Sequence, residues 1–380
     1  MKDRKTLLYL LILSTFFLSM MALLASAKTE VGTRARSSAL YNPDTKSFLY
    51  QSNANLRLPM ASTTKIVTAL VAIESLDMDE IITVPKDAVG IEGSSLYLKE
   101  NDKITVRDLI YSVLLQSAND AATVLALRIS GSISAFAERM NERVQSIGVT
   151  DTNFENPHGL DSKDHYTTAH DLSLIAAEAL SNDTFRRISS TYKHSFKIGD
   201  EIRIVVNHNK LLKSYDGCNG VKTGYTRKSG RCLVSSAEKD GVTLVAVTLN
   251  DPDDWNDHKS MLDYGFDRLG SIDLKAEIDI PSDISTISSD GAKVPLMLAQ
   301  SKIIKRIDEE FSYTVSLPSY VTTDVRMGDK IGEITVKIGN REEKIDIVAG
   351  CDVKIKKTKR RFLNMGEFND GKNQTSEIYG

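Results

Sequence analysis

The sequence predicts an α+β protein: an antiparallel sheet packed against helices, followed by a small all-β domain. Three observations predict it. Strand-like runs stand at both ends of a long helical stretch between Ser37 and Leu249. Near Ser271 the texture changes to short alternating strands separated by Ser-, Gly- and Asp-rich turns. The composition is that of an ordinary globular chain, with 41% hydrophobic and 26% charged residues over 380 positions. The 48 Lys+Arg and 51 Asp+Glu leave a net charge of −3, which excludes a basic nucleic-acid binder. The same balance excludes a disordered tail protein and a multi-span membrane protein. Three cysteines exclude a disulfide scaffold.

The elements are justified in chain order. Lys2, Arg4 and Lys5 precede an uncharged apolar run from Thr6 to Leu24, which ends in Ala25-Ser26-Ala27. That order describes a secretory signal peptide over residues 1–27, with the mature chain starting at Lys28. An uncleaved membrane anchor is the alternative. Removing the leader takes away a net +2 and leaves a mildly acidic exported chain of about −5. Residues 37–51 read as a hairpin turning at Asn42-Pro43-Asp44. A helix starts at Ser62 and carries Ile66, Val67, Leu70, Val71 and Ile73 on its apolar side. Helical patterns follow over residues 106–115, 121–129, 133–147 and 169–180, then strands over 220–225, 231–237 and 242–249. A helix over 255–269 closes a first domain spanning residues 28–270.

Ile278, Ile280, Val294, Ile334, Val336, Ile345 and Ile347 alternate with polar neighbours and predict a second, all-β domain over residues 271–350. Residues 351–380 form a basic tail, with six positive charges between Lys354 and Arg361, and read as disordered. Cys218 and Cys232 could pair across a hairpin; buried free thiols are the expectation. The six histidines are scattered, without metal spacing.

Ser-x-x-Lys occurs at Ser62–Lys65, Ser190–Lys193 and Ser236–Lys239. Only Ser62 opens a long apolar-periodic helix. At i and i+3 the amine lies one turn from the hydroxyl and, if neutral, can take its proton. The unsatisfied N–H groups of the helix start add a partial positive charge beside such a nucleophile. Ser117-Ala118-Asn119 stands between two apolar helices, well placed to enter a cleft. Lys222-Thr223-Gly224 sits in a strand, where Gly224 lets a ligand backbone approach closely. Each motif has a plainer reading: Ser62 as a helix cap, Asn119 or Asp120 as another, Lys222 as an edge-strand lysine. All three together, in this order, do not.

Together they resemble the penicillin-recognising serine acyl-enzymes. Asn156-Pro157-His158-Gly159-Leu160-Asp161, with His165-Tyr166-Thr167-Thr168-Ala169 and Asp171-Leu172, resembles more narrowly the D-alanyl-D-alanine carboxypeptidases, the low-molecular-weight penicillin-binding proteins. The resemblance covers residues 35–268 and implies a β-lactamase/transpeptidase-like catalytic domain. It implies that Ser62 attacks the carbonyl between the two D-alanines of a peptidoglycan stem peptide, with Lys65 as base. Ser117 would relay the proton and Asn119 would hold Lys65 and the substrate. Lys222 and Thr223 would bind the terminal carboxylate, and Gly224 would admit the peptide. The N–H groups of Ser62 and Tyr225 would form the oxyanion hole. Peptidoglycan stem peptides and β-lactam antibiotics are the implied ligands, with no metal, organic cofactor or nucleic acid. His158 and His165 read as structural. The tail departs from the family's amphipathic ending: Phe362, Leu363 and Met365 are too few for firm insertion, and the basic run leaves weak electrostatic attraction to anionic lipid. The alternatives are a β-lactamase on the same fold and a catalytically silent murein-binding protein.

Overall fold

The computed structural model describes residues 31–356, so the signal-peptide reading and the tail beyond Lys356 fall outside the described residues. Two compact units are present. One runs to Ser271 and takes in Ile304–Asp308; the other comprises Ile272–Ile303 and the chain from Glu309 onward.

The first unit follows the chain through β1 (Ser37–Asn42), β2 (Ser47–Ser52), α1 (Lys65–Ser75), β3 (Ile81–Thr83), β4 (Lys103–Thr105) and α2 (Val106–Tyr111). There follow α3 (Asn119–Ser130), α4 (Ile133–Gln145), α5 (Ala169–Ser181), α6 (Asp183–Ser189), β5 (Lys193–Ile198) and β6 (Glu201–Val206). It ends with α7 (Leu211–Ser214), β7 (Cys218–Thr226), β8 (Gly230–Lys239), β9 (Val242–Leu249) and α8 (Asp254–Phe266). The main sheet has the order β2-β1-β9-β8-β7 and pairs antiparallel throughout.

Strand alternation explains the layers. Ala39, Val234, Val245 and Val247 turn to one face and join the large core of α1 and α3–α6. Leu40, Leu244 and Ala246 turn to the other, where Met261 and Leu262 of α8 cover them. The sheet is therefore packed between two helical layers, with β7 left at its edge.

Three local differences from the sequence reading have physical reasons. The helix expected from Ser62 begins at Lys65; Ala61–Thr64 is a tight 3₁₀ turn before it. The helix over 106–115 changes at Ser112 into a π-helical turn through Gln116, which ends at Ser117 with φ +63°. α6 and the β5–β6 hairpin had no legible pattern. α6 is only seven residues long. Ile202 and Ile204 of β6 are exposed, which breaks the apolar-in rule that marks a strand.

The second unit is a five-stranded antiparallel sheet in the order Asp283–Ser285, Lys293–Leu298, Arg341–Ala349, Lys330–Ile338, Phe311–Ser316. Ile334, Val336, Ile338, Ile345 and Ile347 form its core. The boundary expected at Gly350 moves. Val353 exchanges backbone hydrogen bonds with Val325 at 2.9 and 3.0 Å, and the Lys356 ammonium meets Asp290 at 2.9 Å. The first residues of the basic run are thus ordered on this unit by pairing and by a carboxylate. All three cysteines are free, and Cys351 is exposed rather than buried. Among the described residues no helix is long and apolar enough to cross a membrane.

His258 of α8 is fully buried, its Nδ1 against Ser235 Oγ and its Nε2 3.0 Å from Thr248 Oγ1. Burial pushes its pKa down to about 3. Between that value and the ordinary 6.5 the unfolded chain binds the extra proton, so stability falls as pH falls through this window. His258→Asn is expected to flatten the pH dependence of the unfolding free energy, read from urea titrations between pH 6.5 and 4, by up to about 1.4 kcal/mol per pH unit. An unchanged slope would refute the assignment.

Candidate active site

The site lies where the 3₁₀ turn Ala61–Thr64, the π-helical turn before Ser117 and edge strand β7 converge. Two glycines allow the approach. A Cβ on Gly224 would stand 2.9 Å from Ser62 N and 3.1 Å from Thr63 N, so only glycine lets β7 lie this close to the turn. Gly159 has φ +84°, and a Cβ there would stand 1.9 Å from the Ala61 carbonyl oxygen. Ala61 itself is held at φ +47°, a strained value for alanine, immediately before Ser62.

The loop through Gly159 is locked from both sides. Asn156 Oδ1 accepts from His158 N at 3.2 Å and Gly159 N at 2.7 Å, and Thr68 Oγ1 donates to Pro157 O at 2.6 Å. His165 ties this segment to the turn: its Nε2 is 2.7 Å from Thr64 Oγ1, and its Nδ1 accepts from Glu155 N at 3.0 Å. His158 and His165 are held neutral by burial, at about 3 and about 4. Neither imidazole meets Ser62. The His158 carbonyl, however, points at Lys65, a contribution the sequence could not show because every residue has a carbonyl.

Lys65 is completely buried. Its Nζ lies 3.0 Å from Ser62 Oγ, 2.6 Å from Asn119 Oδ1 and 2.6 Å from His158 O. Burial, and then the charge of Lys222, hold its pKa well below the ordinary lysine value, while Asp120 pulls the other way. Asp120 is itself spent. Its carboxylate accepts from Leu96 N, Leu98 N, Ala121 N and Ser95 Oγ at 2.6–3.1 Å, which fixes the segment carrying Ser94 to Leu98. Asn119 is held from the same side, its backbone N–H donating to Ser94 O at 2.7 Å and its Nδ2 to Glu92 O.

Lys222 is also buried, at 1% exposure, and donates to its own strand's Thr223 carbonyl at 2.8 Å. Burial lowers its pKa to about 7. Ser62, Ser117, Thr223, Gly224 and Tyr225 line a cavity of about 520 Å³, together with Ser94, His208, Lys210, Arg231, Cys232, Asp254 and Trp255. Lys65, Asn119 and Lys222 stand behind that wall. All eight residues singled out from the three motifs thus come together. The lining from β8 and α8 was missed, since an arginine after a hairpin turn and an Asp-Trp pair at a helix start carry no periodic signal.

The profile of the D-alanyl-D-alanine carboxypeptidase family matches residues 24–253. The chain belongs to the D-alanyl-D-alanine carboxypeptidase family. It is 34% identical over 271 residues to the D-alanyl-D-alanine carboxypeptidase DacF of Bacillus subtilis, covering 69% of this chain and 70% of that one. Penicillin binding protein 5 of Haemophilus influenzae superposes with a TM-score of 0.64 at 26% identity, over 86% of this chain and 99% of that one. The Streptomyces K15 DD-transpeptidase gives 0.60 at 32% identity, over 63% and 99%. The β-lactamase/transpeptidase-like fold expected from the motifs is therefore the one observed, and this carboxypeptidase is a serine-type hydrolase of the cell wall. β-Lactamases of the Ser-x-x-Lys type deacylate through a loop glutamate; here Glu155 of the corresponding loop accepts from Asp164 N at 3.0 Å and is held below its usual carboxylate range first by Ser162.

Gly159→Ala is expected to push the loop off the turn and withdraw the His158 carbonyl from Lys65. Labelling by a fluorescent penicillin should slow about tenfold or more, the worth of one buried hydrogen bond of about 1–3 kcal/mol. A normal labelling rate in a folded variant would show that the loop does not support the amine.

Proposed function

We propose that Ser62 is the nucleophile and neutral Lys65 its base, in a carboxypeptidase that removes the terminal D-alanine from peptidoglycan stem peptides. One observation carries this reading: the three partners of Lys65 Nζ. Two of them, Asn119 Oδ1 and His158 O, are carbonyl oxygens that only accept. A neutral amine has two hydrogens and one lone pair. The hydrogens go to the two carbonyls, and the lone pair is left for the Ser62 hydroxyl at 3.0 Å. Burial without a carboxylate partner favours that neutral form.

The reaction then proceeds in two halves. Ser62 Oγ adds to the carbonyl between the D-alanines as its proton passes to Lys65. The N–H groups of Ser62 and Tyr225 stabilise the oxyanion. Lys65 hands that proton on through Ser117, on the cavity wall, to the leaving D-alanine nitrogen as the C–N bond breaks. Water then gives a proton to Lys65 as it attacks the ester carbonyl, and Ser62 Oγ leaves with that proton, freeing the shortened peptide. Thr223 and Gly224 line the path of the peptide. Lys222, buried beside Lys65, acts on the charge of the base; its burial argues against direct contact with the substrate carboxylate. The basic and apolar leader pattern supports export of the mature chain from Lys28.

Ser62→Ala is expected to abolish both covalent labelling by a fluorescent penicillin and D-alanine release; an adduct mapped by mass spectrometry to Ser190 or Ser236 would overturn the assignment. Lys222→Met removes the neighbouring positive charge, so the Lys65 pKa rises. The acid limb of the acylation profile should move to higher pH, with free-acid and C-terminally amidated substrates slowed alike. A limb that stays in place would remove Lys222 from this role.

A further inference from the structure

The β5–β6 hairpin has one face packed and one face bare. On the inner face Phe196, Ile198 and Val205 are buried, the His194 ring stacks on Tyr111 of α2 at 3.8 Å, and His194 Nε2 meets Asp108 Oδ1 at 2.8 Å. The outer face sets Lys193, Ser195 and Lys197 of β5 directly opposite Val206, Ile204 and Ile202 of β6. We propose that this outer face is an exosite for the peptidoglycan polymer, holding an acidic stem peptide beside the one whose terminus enters the cavity. The inference rests on the carboxypeptidase reading of Ser62 and concerns how that same site receives its polymeric substrate.

Three observations carry it. Ile202 is 68% exposed and Ile204 53%, two steps apart on one strand face. Such a row buries apolar area only against something that comes to it. The hairpin beneath is already fixed by its inner face, so docking there orders little new chain.

Charge gives the row a direction. Lys193 and Lys197 are exposed, and neither meets a carboxylate among the described residues. Glu201, at the tip, is paired with Arg203 at 2.7 Å. The whole chain carries a net −3, so the two lysines are a local feature and not part of a generally basic surface. Stem peptides carry free carboxylates along their length and present alanine methyls between them, which is the complement of lysines set beside isoleucines.

The face also leads into the cavity. Val206 ends β6, the Asn207 side chain donates to the Ser189 and Thr191 carbonyls at 3.0 and 3.2 Å, and His208 lines the cavity with Ser62. At no more than about 3.6 Å per residue, Ile204 lies within about 14 Å of His208 and Ile202 within about 22 Å. That continuity favours the polymer that the cavity serves over a lipid surface.

The test sets insoluble peptidoglycan against an N-acylated tripeptide ending in D-alanyl-D-alanine, using the full chain. Two double variants are measured separately: Lys193→Glu with Lys197→Glu, and Ile202→Ser with Ile204→Ser. Each should lower D-alanine release from the polymer, and co-sedimentation with it, about tenfold, the effect of losing roughly one apolar side chain's burial. Turnover of the tripeptide and penicillin labelling should not change, which also shows that the exposed substitutions leave the catalytic unit folded. An unchanged ratio of polymer to tripeptide turnover in both variants overturns the proposal, and so does an equal fall on both substrates. It is overturned as well if the variants lose only binding to phosphatidylglycerol vesicles, or only self-association, with peptidoglycan turnover intact. The absence of a penicillin adduct on Ser62 in the unaltered protein would instead overturn the reading underneath it.

Discussion

A lysine side chain buried without a carboxylate is the constraint on which the catalytic unit is built. Charged Lys65 in that position would cost several kcal/mol of desolvation, and the fold does not supply the anion that would offset it. The one carboxylate near enough to act is Asp120, and its oxygens are occupied by three backbone N–H groups and Ser95. The amine is therefore held by neutral oxygens and by the repulsion of Lys222. The result is an amine whose surroundings favour its neutral form, the property that the proposed role as base requires.

Much of the surrounding architecture can be understood as holding that arrangement rigid. The Asn156–Leu160 loop exists in its observed shape because Asn156 supplies the acceptors for two of its own N–H groups. It delivers one carbonyl to Nζ. The π-helical turn ends at Ser117, whose positive φ turns the chain so that Ser117 lines the cavity while Asn119, two residues on, opens α3 and meets Lys65. His165 and Thr64 join loop to turn, and Gly224 joins turn to strand. Each of these joints is local, buried and satisfied, so the reactive groups are fixed before a substrate arrives.

The cavity itself divides its labour. The groups proposed to move a proton come from the helical side or stand behind the wall, while β7, β8 and the start of α8 supply much of its polar lining. An edge strand is suited to this, because its unpaired backbone groups present a ladder to an extended peptide. The second unit contributes its own sheet and core, closed by the first residues of the basic run.

The sequence by itself determined the elements with long periods and the residues with rare contexts. α1, α3, α4 and α5 were legible because their apolar spacing repeats over three turns or more. The three motifs were legible because serine, lysine and asparagine stood where apolar periodicity began or stopped. Tertiary structure decided the rest. Whether Lys222 is an exposed cation or a buried one depends on what packs over β7, above all the Ala61–Thr64 turn, more than a hundred residues earlier in the chain. That the His158 carbonyl meets Lys65 depends on a loop conformation set by Asn156 and Gly159. These are contacts between segments distant in sequence, and no local spacing encodes them, because they are chosen by the packing of the whole unit.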